Sequence, residues 1–272
     1  MAELRWHPLI KTWVMVASSR QGRPQMPRDW CPFCPGSGKV PDTYDVLKYD
    51  NDYPVLSTNP PKPDDIPTEF YKTAESYGKC EVILYSPDHD TTMAELSVEH
   101  VKKVVDLWTN RFFELSRDPR IKYVFIFENR GELVGVTMPH PHGQIYGYPF
   151  IPQKLELEFE ACREYFDEKG SCMICDMLKD EMKSGDRIIF ENDDFTVFLP
   201  FFSEYPYGIY IVSKRHVQNL TQFSETEKFN LAHALKESAG TLDSLFDFRF
   251  PYMMCLHQNA VNSGDYSDFY HF

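Results

Sequence analysis

The sequence predicts an α+β chain of two similar halves, each an antiparallel sheet carrying one long helix. Strand and helix patterns occur without the regular alternation of a doubly wound parallel sheet. The same order of signals also runs twice: a Cys-x-x-Cys pair (Cys31/Cys34, Cys172/Cys175), an Asn-Asp group, a strand leading through a serine to a histidine, a helix, a strand and a final histidine. That final histidine, His140 or His271, follows His89 by 51 positions and His216 by 55, the near-constant spacing of an internal duplication. After Pro152 the composition turns to a charged helical pattern, so the halves divide as 1–152 and 153–272.

The 272 residues are 42% hydrophobic, enough to bury a real core. A net charge of -13 argues against nucleic acid or an anionic membrane as the main partner. A small anionic substrate fits if a few arginines gather locally. No apolar run is long enough to span a bilayer, and Met1-Ala2-Glu3-Leu4-Arg5 opens no signal-peptide core. The expectation is a soluble, cytoplasmic protein.

Trp13 to Val16 closes a plausible strand, and the following loop carries Arg20 and Arg23. Exposed loop arginines are most often solvated, although guanidinium geometry also suits phosphate oxygens. Cys31-Pro32-Phe33-Cys34 sits in a Pro/Gly-rich loop before Asn51-Asp52-Tyr53. A strand over 81–85 runs into Ser86-Pro87-Asp88-His89. Ser97 caps a helix to about Ser116, whose Val101, Val104, Val105, Trp108, Phe112 and Leu115 form one apolar stripe. A strand over 122–127 then leads through Glu128-Asn129-Arg130-Gly131 to Met138-Pro139-His140-Pro141-His142-Gly143-Gln144.

In the second half a helix is expected over 154–167 and a strand over 208–212. Ser224-Glu225-Thr226-Glu227 reads as a capping box opening a helix with Leu231, Leu235, Leu242 and Leu245 near one face. A strand over 252–256 ends at His257. Of the seven cysteines, Cys80, Cys162 and Cys255 stand alone and read as buried small hydrophobes.

Two Cys-x-x-Cys pairs in a reducing compartment favour metal over disulfide. Cys31, Cys34, His89 and His140 supply two thiolates and two imidazoles, the set of a closed, structural zinc site. His140 and His142 project from the same face of an extended segment, and Pro141, lacking an N–H, should put that segment at a sheet edge or make it leave the sheet there. With His140 held by zinc, His142 becomes the candidate nucleophile, provided its other nitrogen carries a proton held by an acceptor such as a backbone carbonyl.

The His140-Pro141-His142-Gly143-Gln144 motif, preceded by Glu128-Asn129-Arg130-Gly131 and by Cys31-Pro32-Phe33-Cys34 and Ser86-Pro87-Asp88-His89, resembles the galactose-1-phosphate uridylyltransferases of the histidine-triad superfamily. The resemblance runs from about Leu4 to the last residue. It implies a homodimer of duplicated, histidine-triad-like halves that moves UMP between UDP-glucose and galactose 1-phosphate, as part of galactose metabolism. By that resemblance His142 attacks the α-phosphorus to form a uridylyl-histidine, and Gln144 hydrogen-bonds a nonbridging phosphoryl oxygen. Arg20 and Arg23 match phosphate-binding arginines, and Asn51, Asp52 and Asn129 match positions lining the uridine and phosphate pocket. Related alternatives are an ADP-sugar phosphorylase or a nucleotidyl hydrolase of the same superfamily, and, in another class, a non-catalytic zinc-stabilised nucleotide-binding fragment. Gln144, being neutral, argues against hydrolysis.

The family can hold a second metal ion, zinc or iron, at positions matching Glu158, His257 and His271. General metal chemistry and the repeat point instead to Cys172, Cys175, His216 and His271, and two thiolates favour zinc there. Family members continue beyond the position of Phe272 with a further histidine and a sugar-phosphate-binding segment, so the expectation is a truncated second half.

Overall fold

The structure, a computed structural model, describes residues 2–18, 30–66 and 68–272. Arg20 and Arg23 lie outside the described residues. A hairpin of β1 (Ala2–His7) and β2 (Thr12–Ala17) opens the chain, and β4 (Thr73–Glu75) pairs with the other edge of β1. Glu3, fully buried on β1, holds this layer together by accepting from Arg5 at 2.7 Å and from the backbone N–H of Asp64 at 2.8 Å. Those bonds keep its carboxyl below the usual range despite burial.

The main sheet has five antiparallel strands in the order β11 (Tyr252–Leu256), β6 (Tyr123–Arg130), β7 (His142–Tyr148), β5 (Lys79–Leu84) and β3 (Leu47–Asp50). Its strands are rich in β-branched and aromatic residues, which suit a pleated, packed surface. Strand β7 begins one residue after Pro141 and lies inside the sheet. The proline thus stands where no ladder N–H is required, and its carbonyl accepts from the Tyr85 N–H at 3.0 Å.

Helix α1 (Val98–Ser116) starts where expected, with the Ser97 hydroxyl accepting from the His100 N–H. Its stripe of Val101, Val104, Val105, Trp108, Phe112 and Leu115 is fully buried against the rear of the sheet and against α4 (Glu225–Phe246). Each such side chain stabilises the fold by roughly 1.5–3 kcal/mol of apolar burial. The capping box at α4 forms, with Ser224 and Glu227 exchanging bonds. Its expected apolar face is shorter than the leucine spacing suggests. Leu231 and Leu235 are buried, Leu242 is half-buried and Leu245 is 60% exposed.

The second half also contains α2 (Gln153–Lys169), α3 (Met173–Ser184) and a small antiparallel sheet, β10 (Tyr210–Ser213), β9 (Phe195–Phe198) and β8 (Ile188–Glu191). Its last strand, β11, has left that sheet for the first half's and pairs with β6 about a local two-fold. Matching Tyr123 with Tyr252 makes Ile126 the counterpart of Cys255 and Phe127 that of Leu256. The observed pairs, Ile126 with Leu256 and Phe127 with Cys255, exchange under that match. Two equivalent strands and two equivalent capped helices therefore meet at the junction of the halves, as expected of a duplication. Cys80 and Cys162 are buried, but Cys255 is exposed, correcting the reading above. It lies on β11, an edge strand of the main sheet. No helix among the described residues is long and apolar enough to cross a membrane.

Candidate active site and metal centres

The four residues of the first proposed zinc set come from three separate segments. Cys31 and Cys34 lie in a tight turn closed by the Cys34 N–H donating to the Cys31 carbonyl, His89 lies in the loop after β5, and His140 stands two residues before β7. Their ligand atoms all fall within 4.8 Å of one another. The Nδ1 of His140 is 3.7 Å from Cys31 Sγ and 3.8 Å from Cys34 Sγ, and that of His89 is 3.4 Å from Cys34 Sγ. Tetrahedral bonds of ordinary zinc length require S···N separations of about 3.6 Å, so the residues fit such an ion.

The ring of His140 is prepared for that task. Its Nε2–H donates to the Ser86 carbonyl at 2.8 Å, which turns the Nδ1 lone pair toward the sulfurs. Burial pulls its pKa down to about 4, so the imidazole is neutral near pH 7. Burial and the neighbouring Cys31 push the Cys34 thiol up to about 11, the penalty that a bound cation would relieve.

Sequence reasoning missed Tyr44. Its hydroxyl donates to the Phe33 carbonyl at 2.6 Å and lies 3.1 Å from both the Ser86 carbonyl and His140 Nε2. A single phenol thus ties the Cys-x-x-Cys turn to the second-layer acceptor of His140. Tyr44 falls in an irregular loop with no motif of its own, so nothing in the spacing marks it.

The second half brings together Cys172, Cys175, His216 and His271, again within 4.8 Å. Cys175 Sγ lies 3.2 Å from His216 Nδ1 and 3.1 Å from His271 Nδ1. The Nε2 of His271 bonds the hydroxyl of Ser213, which matches Ser86 in the repeat, and that of His216 bonds the Ser267 carbonyl. A hydrogen bond from Cys175, then one from His271, favours Cys172 as the thiolate of the pair. The rival set does not gather: His257 Nδ1 bonds Glu158 Oε2 at 2.8 Å, while His271 turns to the cysteines.

His142 opens β7, on the face of the sheet away from α1. Its Nδ1 is 2.7 Å from the His140 carbonyl oxygen. A carbonyl only accepts, so Nδ1 carries the proton and Nε2 is the basic nitrogen. Phe33 sits against both histidines, with ring centroids 5.9 Å from His140 and 6.2 Å from His142. On the same face the Gln144 carbonyl oxygen accepts from Tyr146 at 3.1 Å, which aims its amide N–H groups away from that phenol. Asn129 on β6 is half-buried and opposite Met253. At the far edge the carboxylate of Asp52 accepts from Tyr49, which is 3.0 Å from both oxygens, and Asn51 Oδ1 accepts from the Tyr53 N–H.

Residues 1–152 match the galactose-1-phosphate uridyl transferase N-terminal domain and residues 158–272 its C-terminal domain. The chain is 40% identical to galactose-1-phosphate uridylyltransferase of Thermotoga maritima, over 100% of this chain and 85% of that one. It is 30% identical to the Haemophilus influenzae enzyme of the same name, over 96% and 79%. A solved uridylyltransferase structure superposes with a TM-score of 0.90 at 30% identity, over 99% of this chain and 84% of that one. The chain belongs to the galactose-1-phosphate uridylyltransferase family.

Proposed function

We propose that this chain is an enzyme moving a uridylyl group from UDP-glucose to galactose 1-phosphate through a covalent intermediate on His142. The observation that carries the reading is the His142 Nδ1 to His140 carbonyl contact of 2.7 Å, which makes Nε2 the nucleophilic nitrogen. Nε2 attacks the α-phosphorus, forming a P–N bond as the bond to the bridging oxygen breaks and glucose 1-phosphate leaves. A phosphate oxygen of galactose 1-phosphate then attacks the same phosphorus, breaking the P–N bond and releasing UDP-galactose. Gln144 donates its amide N–H to a nonbridging oxygen and, being neutral, exchanges no proton. Asn51, Asp52 and Asn129 hold the nucleotide, with Arg20 and Arg23 on the phosphates by family resemblance.

Zinc is the ion best suited to both Cys2His2 sets, since two thiolates and two imidazoles leave no open position. It would be structural, fixing His140 and hence the carbonyl that orients His142. The same reading takes the chain as a cytoplasmic homodimer. Isotope exchange tests it: label from glucose 1-phosphate should enter UDP-glucose with no galactose 1-phosphate present. Exchange that requires both sugar phosphates would contradict a covalent intermediate.

A further inference from the structure

We propose that Tyr146 is a positioning residue for this reaction: its hydroxyl holds the Gln144 amide with the carbonyl oxygen turned back and the N–H groups turned toward the phosphoryl group. The inference rests on the transferase reading above, and it adds a residue two positions beyond the His-Pro-His-Gly-Gln motif.

Strand β7 is paired on both sides, so that Gln144 stands opposite Val82 of β5 and Phe127 of β6. Its backbone is therefore fixed. Alternation along the strand puts the side chains of His142, Gln144 and Tyr146 on one face, successive ones about 7 Å apart. What the sheet does not fix is the far end of Gln144. A glutamine side chain turns about three bonds, and its amide presents an acceptor at one end and two donors at the other. Only the donor end can serve a nonbridging phosphoryl oxygen, which is anionic and would be repelled by the carbonyl.

The Tyr146 hydroxyl makes the choice between the two ends. It donates to Gln144 Oε1 at 3.1 Å, which leaves both amide N–H bonds directed elsewhere. In the reverse orientation the hydroxyl would accept an amide N–H, its own proton would lose Oε1, and the amide carbonyl would face the anionic oxygen. The phenol is itself held. Tyr146 is 6% exposed, and its ring packs edge-on against Phe127 at 5.2 Å between centroids and against Tyr148 at 6.0 Å. Swinging the hydroxyl away would break both contacts. The amide is thus oriented before substrate arrives, as stabilisation of charge on the phosphoryl oxygens requires.

A double-mutant cycle on the full chain tests this, with Tyr146→Phe, which keeps the ring and removes only the hydroxyl, Gln144→Ala, and the two combined. The readout is the rate of protein labelling by UDP-glucose carrying the label in its uridylyl group, followed over a range of substrate concentrations. Gln144→Ala should slow the limiting rate about a hundredfold and Tyr146→Phe about tenfold, with the half-saturating concentration of Tyr146→Phe within about twofold of wild type. In the Gln144→Ala background, Tyr146→Phe should slow labelling no further, because the hydroxyl then has no amide to orient. A merely structural role would slow both backgrounds by the same factor. That result, a wild-type labelling rate in Tyr146→Phe, or a raised half-saturating concentration at an unchanged limiting rate overturns the proposal. A wild type that takes up no label fails instead at the transferase reading, and the positioning role falls with it.

Discussion

The His142 Nδ1–H donates to the backbone carbonyl of His140 at 2.7 Å, so His142 takes its tautomer from the main chain of a residue in the Cys2His2 cluster. Orientation of the His142 ring and the geometry of the Cys2His2 cluster are therefore coupled through one residue. Cys31→Ser should lower metal content by one ion per chain and reduce uridylyl transfer by tenfold or more, although Cys31 touches no substrate. Metal analysis beside a transfer assay checks this, and full metal content in Cys31→Ser would contradict it.

The second Cys2His2 cluster shares no ligand with the first. Wild type should carry about two ions per chain, and Cys172→Ser about one. Because His216 and His271 fasten the C-terminal segment to β10 and α3, Cys172→Ser should lower thermal stability more than it lowers the transfer rate. Metal analysis and calorimetry of the two serine variants separate the sites.

Tyr44 ties Phe33, Ser86 and His140 together. Tyr44→Phe removes a buried hydroxyl and leaves the Phe33 carbonyl without its donor, at a cost of about 1–3 kcal/mol. Competition with a chelator should show metal held roughly tenfold less tightly in the variant.

The legible part of this site and the hidden part differ in physical kind. Cys31, Cys34, His89 and His140 could be read because metal-binding residue types recur at fixed spacing in both halves. The α1 stripe and the two serine caps were readable because they obey local periodicity and local hydrogen bonding. Tyr44 carries no such signal, since its role comes from which loops become neighbours. Helix α3, which starts at the Cys172-x-x-Cys175 pair, and the short strands β8 and β9 went unread. The exposure of Cys255 likewise follows from β11 taking the sheet edge, which no local pattern announces.

Acid stability should report the capping box. Arg215, first, then the Ser224 backbone and hydroxyl hold the Glu227 carboxyl down to about 2, from an ordinary value of 4.5. A depressed carboxyl contributes stability above its unfolded value and loses it as pH falls through the folded one. Wild type should therefore exceed Glu227→Gln by about 2–3 kcal/mol at pH 6, with the gap closing between pH 4.5 and pH 2. Urea unfolding across that range gives the difference directly.

The most direct test is intact-protein mass measurement after brief exposure to UDP-glucose without acceptor. Wild type should gain one uridylyl group per chain, located on His142 by peptide mapping and lost on adding galactose 1-phosphate. His142→Ala with its metal retained should gain none. No adduct on wild type, or an equal adduct on His142→Ala, would contradict the covalent histidine.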